Sequence, residues 1–358
     1  MKKLILFFMI FFLPINVFAD SGKSTIVMDI DRGRILYEKN VNQKRLIASI
    51  TKIMTCIIVL ENCDIESSIT VGDEVLSMYG TNIYIEKGEV LRIQDLLYGL
   101  MLRSGNDAAI TLAYNTLGYD KFISKMNEKA EEIGMKNTIF SNPHGLDDDT
   151  KNYSTAYDMA LLAKYAYNNS VYKKIISTRK YTTKSSIKSY VWYNRMNLLG
   201  NYKNCIGGKN GYTPSAGKTL VSYAKKGNLT LAIISLNDSS IYENHKNLYD
   251  KYFSKYRNYK IIEAGNLSIN NNNYNIKESF IYPLADDELD NISTLVKIDS
   301  KSLEKVVGKI EIKLNKRIIG DIKIYKNDKI KKEKKSLLNK ALDLFSWYSK
   351  KVYWWSAE

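Results

Sequence analysis

The chain has 358 residues, a length that fits one large globular domain and a second, smaller one. Its formal net charge of +15 is spread as lysine along the sequence, which favours contact with anionic surfaces. The three cysteines form no recognisable disulfide framework. The two histidines, His144 and His245, are too few and too isolated for a zinc site. No metal and no cofactor is therefore expected.

Residues 1–19 have the pattern of a secretory signal peptide. Lys2 and Lys3 precede an apolar run over residues 4–13, and small residues lead up to Asp20. A run of about ten residues is too short to span a bilayer of roughly 30 Å, so a retained anchor is the less favoured alternative. The pattern predicts export. The anionic surfaces that the lysines would meet there are lipid and wall polymer rather than nucleic acid.

The next segments begin with strand signals and continue with helix signals. Strand patterns over residues 24–28 and 35–37 flank the turn-forming Asp31-Arg-Gly33, which predicts a hairpin. A nearly continuous apolar run over residues 49–60 predicts a helix that is buried on most sides. Helical periodicity also predicts the helices that follow, over residues 96–101, 108–113, 122–133 and 158–167.

Later in the chain the period changes to that of strands. The β-rich runs 219–224 and 229–236 are divided by Lys225-Lys-Gly-Asn228, which is a hairpin signal. A last amphipathic helix is predicted over residues 242–256. Strands at both ends with helices between them predict an α+β domain, residues 20–263, in which an antiparallel sheet is faced by a helical cluster.

Composition changes near residue 264. Segment 266–275 is rich in asparagine and is interpreted as part of a linker. Beyond it, apolar and polar residues alternate over residues 309–314 and 322–325. These runs predict a small all-β domain, residues 264–332.

Residues 333–358 have the pattern of a C-terminal amphipathic helix. Over residues 336–355, polar side chains fall on one side of a helix and apolar ones on the other, and Trp347, Trp354 and Trp355 suit the headgroup zone. This predicts a helix that lies in the plane of an anionic membrane surface. A helix packed on the β domain is the alternative. Charges within the run argue against a spanning helix.

The segment Ser49-Ile-Thr-Lys52 is a candidate nucleophile and base. A lysine three residues after a serine lies on the same face of a helix and can accept the proton of the hydroxyl. An ordinary lysine pKa of about 10.4 would have to fall by about three units, worth roughly 4 kcal/mol. Burial in the apolar helix and a second cation, Lys209, can supply that change if the fold brings them together.

Two further polar motifs suit the edges of a cleft. Ser104-Gly-Asn106 interrupts two helices, where Ser104 could relay a proton and the Asn106 amide could hold a substrate amide. Lys209-Asn-Gly211 begins a strand whose exposed backbone could pair with an extended peptide. Each motif alone also occurs by chance.

Together the three motifs match, in order and in element type, the mechanical parts of penicillin-binding proteins and class A β-lactamases. The chain resembles the low-molecular-mass penicillin-binding proteins that act as D-alanyl-D-alanine carboxypeptidases, over nearly the whole mature sequence. Other segments carry the same resemblance: Ala48-Ser-Ile-Thr-Lys-Ile-Met-Thr55, Leu96-Leu-Tyr-Gly-Leu100, Ser104-Gly-Asn-Asp-Ala-Ala109, Met126-Asn-Glu-Lys-Ala130, Asn142-Pro-His-Gly-Leu146, Ser154-Thr-Ala-Tyr-Asp158 and Gly211-Tyr-Thr-Pro-Ser-Ala-Gly217.

The resemblance implies a β-lactamase/transpeptidase-like fold and an acyl-enzyme on Ser49. The penultimate D-alanine carbonyl of a peptidoglycan stem peptide would acylate this serine, the terminal D-alanine would leave, and water would free the enzyme. Lys52 would be the base and Ser104 the proton relay. β-Lactam inhibitors would react with the same serine. The implied location is the outer face of the cytoplasmic membrane, in the cell envelope.

The resemblance also implies substrate-binding positions. Asn106 would hold the substrate amide, and Lys209 would face both Ser104 and the substrate carboxylate. The strand residues Asn210, Gly211 and Tyr212 would line the peptide. The backbone N–H groups of Ser49 and Tyr212 would form the oxyanion hole.

Two features depart from the family pattern. Asn210 stands where threonine or serine usually supplies a hydroxyl for the carboxylate, and residues 239–242 lack the arginine that often follows the last strand. These departures leave open a weakly active or inactive membrane-held protein that binds peptidoglycan. A β-lactamase is a further alternative, although it would ordinarily add a loop glutamate for deacylation.

Overall fold

The computed structural model describes residues 20–269, 272–299 and 304–326. The predicted signal peptide, residues 1–19, and the predicted amphipathic helix, residues 333–358, lie outside these residues. Within the described part of the chain, each helix is too short or too polar to pass through a membrane.

Strands and helices are numbered in chain order. The strands are β1 (Gly22–Asp29), β2 (Ile35–Lys39), β3 (Arg45–Leu46), β4 (Ser68–Thr70), β5 (Val90–Arg92), β6 (Tyr153–Ser154), β7 (Lys180–Lys184), β8 (Ser189–Tyr193), β9 (Cys205–Thr213), β10 (Gly217–Lys226), β11 (Leu229–Asp238), β12 (Tyr256–Ile262), β13 (Gly265–Ile269), β14 (Asn272–Ile276), β15 (Phe280–Ala285), β16 (Ile292–Ile298), β17 (Val306–Leu314) and β18 (Arg317–Lys326). The helices are α1 (Lys52–Asn62), α2 (Ile93–Tyr98), α3 (Asn106–Thr116), α4 (Tyr119–Glu132), α5 (Ala156–Tyr167), α6 (Ser170–Ser177), α7 (Leu198–Asn201) and α8 (Ile241–Lys255).

The central sheet has the strand order β2-β1-β11-β10-β9, and every neighbouring pair is antiparallel. The predicted hairpin at residues 225–228 joins β10 to β11, and the predicted last helix is α8. Both predictions are confirmed within a few residues. The α+β architecture is confirmed as well.

Alternation along β9 and β10 separates the two faces of this sheet. Val221 packs in the large core that contains α1, whereas Leu220 packs in a second core with α8. Because directly paired residues share a face, Lys209, which pairs with Val221, faces the α1 side. Asn210, which pairs with Leu220, faces the α8 side. Among the described residues, no strand pairs along the outer edge of β9, so backbone groups on this side have no strand partner.

A second five-stranded sheet has the order β13-β14-β18-β17-β16 and encloses its own apolar core. The asparagine-rich segment, interpreted above as a linker, instead forms β13 and β14, so that interpretation is wrong. The physical reason is that apolar residues alternate with the asparagines and polar residues along these strands. Tyr274 and Ile276 point into the core, and Leu267 pairs with Tyr274 across the strands.

Two kinds of contact join the sheets. Strand β12 pairs with β15, so the predicted division between residues 263 and 264 falls just after a strand that is shared with the second region. The β1–β2 hairpin adds two arginines: Arg34 donates to Pro283 O at 2.5 Å and to Glu288 Oε2 at 2.9 Å, and Arg32 donates to Ile281 O at 2.8 Å. The hairpin is therefore fixed against β15.

Candidate active site

Ser49 lies in a 3₁₀ turn, Ala48–Thr51, that leads directly into α1. Ala48 has a φ of 49°, in the left-handed region that usually costs a residue with a side chain about 1–2 kcal/mol. Gly145 packs against this turn with a φ of 90°, and a Cβ there would come within 2.1 Å of Ala48 O. Only glycine fits. The turn holding the serine is thus set by close backbone packing.

Lys52 is the first residue of α1 and is fully buried. Its Nζ lies 3.0 Å from Ser49 Oγ, and the same amine contacts Asn106 Oδ1 at 2.7 Å and His144 O at 2.6 Å. Thr55 donates to Pro143 O at 2.6 Å and so fixes the loop that presents the His144 carbonyl. The amine therefore has an imposed position beside the hydroxyl.

The surroundings of Lys52 favour its uncharged form. Burial, and then the positive charge of Lys209, hold the pKa of Lys52 well below its usual value. Asp107 opposes this shift, but its carboxylate accepts backbone N–H groups of Ile83, Tyr84 and Ala108 at 2.9, 2.7 and 2.8 Å rather than pairing with Lys52. An uncharged amine at 3.0 Å can accept the Ser49 proton.

Ser104 follows a π-helical turn, Gly99–Arg103, and adopts a left-handed conformation with φ 66° and ψ 34°. The wide turn explains why the helical period breaks at this motif. Lys209 Nζ donates to Ser104 Oγ at 3.0 Å and to Asn210 O at 2.6 Å. Ser104 and Lys209 thus form a second buried Ser–Lys pair, and the charge of Lys209 acts on Lys52.

Asn106 begins α3, where its backbone N–H donates to Thr81 O at 2.7 Å. Its amide oxygen accepts from Lys52, and its amide nitrogen donates to Tyr79 O at 2.7 Å. This side chain therefore orients Lys52 in the present structure. Its predicted contact with a substrate amide stays a prediction.

The strand β9 approaches Ser49 because residue 211 has no side chain. A Cβ on Gly211 would lie 2.7 Å from both Ser49 N and Thr219 Oγ1. Lys209 on the same face is almost fully buried, and burial together with Arg195 lowers its pKa to about 7. Asn210 and Tyr212 point to the other face. Tyr212 is 64% exposed, and the Asn210 side chain interacts with the Tyr242 hydroxyl.

The structure thus brings together six of the eight predicted site residues. These six are Ser49, Lys52, Ser104, Asn106, Lys209 and Gly211. The side chains of Asn210 and Tyr212 lie on the opposite face of β9 from these six. The arrangement pairs an activated hydroxyl with a second hydroxyl and a buried amine beside an open strand edge, which is a set of groups suited to acyl transfer to serine.

Sequence reasoning missed three contributors to the site. The His144 carbonyl acts through its backbone, which no side-chain pattern reveals. Asp107 supports the site by accepting backbone N–H groups. Arg195 lies in the segment between β8 and α7, where no motif was recognised. A single arginine between Asn194 and Met196 offers no signal of its own.

The chain is similar to known proteins. A family model described as D-alanyl-D-alanine carboxypeptidase matches residues 17–240. The D-alanyl-D-alanine carboxypeptidase DacF of Bacillus subtilis is 34% identical over 253 residues, which are 68% of this chain and 65% of that protein. The match therefore spans slightly less than two thirds of the length of this curated relative.

Solved structures agree with the sequence matches. The D-alanyl-D-alanine carboxypeptidase of Mycobacterium tuberculosis superposes with a TM-score of 0.64 at 30% identity, covering 66% of this chain and 92% of that one. Penicillin binding protein 5 of Haemophilus influenzae gives a TM-score of 0.72 at 25% identity, covering 86% of this chain and 96% of that one. By its match to the family model and by its fold, the chain belongs to the D-alanyl-D-alanine carboxypeptidase family.

Proposed function

We propose that this protein is a serine-type D-alanyl-D-alanine carboxypeptidase that removes the terminal D-alanine from peptidoglycan stem peptides. The observation that carries the proposal is the contact of 3.0 Å between Ser49 Oγ and the buried amine of Lys52. The depressed pKa of that amine supports it, since an ammonium could not accept a proton.

Acylation begins when Lys52 takes the Ser49 proton and Oγ attacks the carbonyl of the penultimate D-alanine. The N–H groups of Ser49 and Tyr212 stabilise the oxyanion, with a typical contribution of about 3–4 kcal/mol for each donor. As the intermediate collapses, the C–N bond breaks and the leaving amine takes a proton through Ser104, which Lys209 holds in place. Water then hydrolyses the acyl-enzyme and frees Ser49.

The open edge of β9 supports binding of an extended peptide. Backbone pairing gives affinity to such a strand without demanding particular side chains. Gly211 lets this edge reach the serine, and Asn106 faces the peptide from the opposite wall. Penicillins would react at the same position, because their strained amide presents an equivalent carbonyl to Ser49.

The same proposal includes the predicted organisation of the chain. Residues 1–19 direct export, residues 20–263 form the catalytic domain, residues 264–332 form a small β domain, and residues 333–358 associate with an anionic membrane surface. The five-stranded sheet of β13, β14 and β16–β18, with its separate core, supports the small domain. This organisation places the catalytic cleft on the outer face of the cytoplasmic membrane.

A second candidate is a peptidoglycan-binding protein with little turnover. The observation that favours it is the engagement of the Asn210 side chain with Tyr242, where the family usually has a free hydroxyl. A β-lactamase is a third and weaker candidate. The three differ in which acyl-enzyme forms and how fast water releases it.

One assay separates these candidates. Full-length protein in detergent is incubated with a fluorescent penicillin and, separately, with a peptide ending in D-Ala-D-Ala. Labelling with D-alanine release supports the carboxypeptidase, absence of both supports the binding protein, and rapid penicillin hydrolysis supports the lactamase. Ser49→Ala is expected to abolish labelling while circular dichroism stays unchanged. Ordinary labelling of that variant would place the nucleophile elsewhere.

A further inference from the structure

The outer edge of β16 lacks a strand partner in the described part of the chain. β16 is an end strand of the second five-stranded sheet and pairs with β17 on its inner side. It runs for seven residues, Ile292–Ile298, with no proline and no register shift against β17. A strand of this kind has a row of N–H and C=O groups that can pair with another chain.

Hydrogen bonds at the two ends of β16 show which of its backbone groups point outward. Asp299 N donates to Val307 O at 2.8 Å, and Asn315 N donates to Asn291 O at 3.2 Å. In an antiparallel pair every second residue exchanges bonds with the neighbouring strand, so the odd-numbered residues of β16 bond to β17. The residues between them direct their N–H and C=O groups to the outer edge, and these are Ile292, Thr294, Val296 and Ile298.

The side chains of this edge are apolar and carry little free charge. Leu295 is 45% exposed and Val296 is 38% exposed, and as neighbours along the strand they lie on opposite faces of the sheet. Lys297 is the one charged residue of β16, and its Nζ donates to Glu311 Oε1 on β17 at 2.9 Å. Free charges usually protect an edge strand from pairing, and this protection is weak in β16.

The sequence of β16 is complementary to a second copy of itself that runs in the opposite direction. When a two-fold axis passes through Leu295, the residues that face one another are Ile292 and Ile298, Thr294 and Val296, and Ser293 and Lys297. The first two pairs contain the residues whose backbone groups point outward, so both copies can exchange hydrogen bonds. The lysine of each strand faces an uncharged serine, so no like charges are opposed. A displaced axis would leave fewer residues paired.

We propose that two copies of this chain pair along β16, antiparallel about a two-fold axis at Leu295, and so form a dimer. This pairing joins the two five-stranded sheets into one continuous sheet, with the Leu295 side chains in contact on the axis. An interface that uses the same patch on both copies closes on itself, so assembly ends at the dimer. One strand from each copy gives an interface smaller than the about 1,200 Å² of stable complexes, so the dimer is weak and depends on concentration.

Disulfide cross-linking of the full-length protein in detergent tests the position of the axis. Leu295→Cys places two thiols in a non-hydrogen-bonded pair, where a Cα separation of about 4.5 Å is within the range of a disulfide. Ser293→Cys is the matched control, because its two copies would lie roughly 13 Å apart along the strands. The wild type gives the background from Cys63, a partly exposed native thiol. A covalent dimer is expected from Leu295→Cys alone, and equal yields from both variants, or no dimer from either, would overturn the proposal.

Charges placed on the axis give a second test, in which sedimentation velocity measures the dimer at increasing protein concentration. Leu295→Lys and Leu295→Glu each oppose two like charges, so each variant alone should lose the dimer, and a mixture of the two should recover it. Leu76→Lys makes the same change at a leucine that is 73% exposed between β4 and β5, and it should leave the dimer unchanged. Circular dichroism checks that every variant is folded.

Two results of the sedimentation experiment would overturn the proposal. A wild-type protein that stays monomeric at every concentration would mean that the edge of β16 is covered by another part of the chain or is not used. A dimer that survives Leu295→Lys would place the interface elsewhere. Neither experiment measures catalysis, so both results are independent of the proposed function.

Discussion

Both faces of the central sheet bury basic side chains, but these side chains have different roles on the two faces. On the α1 face, Lys52 and Lys209 are almost completely buried. On the α8 face, His245 is buried to the same degree. Burial is the largest cause of the lowered pKa in all three residues, and the pKa of His245 falls to about 4.

The neighbours of these groups differ. Ser222 Oγ lies 2.7 Å from His245 Nδ1 and Ser235 Oγ lies 2.8 Å from Nε2, and Ser222 is also bonded to Tyr249 at 2.8 Å. This network is closed and fully buried. Lys52, in contrast, borders the half-buried Ser49 at the cleft. A shifted pKa thus reports burial. It contributes to a reaction only where a nucleophile lies within reach of both the base and the substrate.

Removing the base on the α1 face should have the largest effect. Lys52→Met keeps the volume of the side chain but cannot accept a proton, so the rate of penicillin acylation should fall by about 10²–10⁴-fold, the usual contribution of a general base. Stopped-flow labelling with a fluorescent penicillin measures the rate, and circular dichroism checks the fold. Labelling at a near-normal rate would mean that another group activates Ser49.

A smaller effect is expected where the sheet meets the serine. Gly211→Ala puts a methyl group 2.7 Å from Ser49 N, and the overpacking should cost about 1–3 kcal/mol, shared between slower acylation and a lower unfolding temperature. Gly200→Ala is the matched control, because a Cβ at Gly200 meets no atom within 4 Å. If both variants acylate at the wild-type rate, the close approach of β9 is not needed for reaction.

The smallest effect belongs to the α8 face and concerns stability alone. The folded state keeps His245 neutral down to about pH 4, whereas in the unfolded chain this histidine takes up a proton near its ordinary pKa of 6.5. The contribution of His245 is therefore fully present above pH 6.5 and is lost as the pH falls towards 4.

His245→Gln keeps hydrogen-bonding groups but does not titrate. Urea unfolding at pH 7.5 and pH 5 should show a smaller loss of stability in this variant than in the wild type. The penicillin acylation rate at pH 7.5 should not change. If the pH dependence of stability is unchanged in the variant, protonation of His245 is not coupled to folding. If the acylation rate falls strongly, the α8 face contributes to the reaction on the α1 face.

Sequence reasoning located the Ser49–Lys52 pair because its spacing is local. Ser49 and Lys52 share one turn, and periodicity was sufficient to put a helix after them. The contact between Ser104 and Lys209 spans 105 positions, and only the resemblance to a family made it predictable. The pairing of β1 with β11 in the central sheet is likewise a long-range contact. No local sequence pattern specifies it.

Other features were beyond the reach of the sequence for physical reasons. The role of the His144 carbonyl depends on backbone position rather than on residue type. Strands β13 and β14 were not predicted, because asparagine is usually typical of turns. The few apolar residues among the asparagines determine how β13 pairs with β14. Arg195 is bonded through its N–H to Leu102 O, and its neighbour Met196 packs on Gly208; both contacts are visible only in three dimensions.

The tight packing of Gly145 against Ala48 has a consequence for inhibition. This packing holds the turn that carries Ser49 in one conformation before any ligand arrives. A flexible peptide has to give up rotational freedom to match such a surface, whereas a fused bicyclic molecule has already lost it. A rigid site needs no reorganisation during turnover. The same rigidity would therefore favour binding of rigid molecules that mimic the substrate.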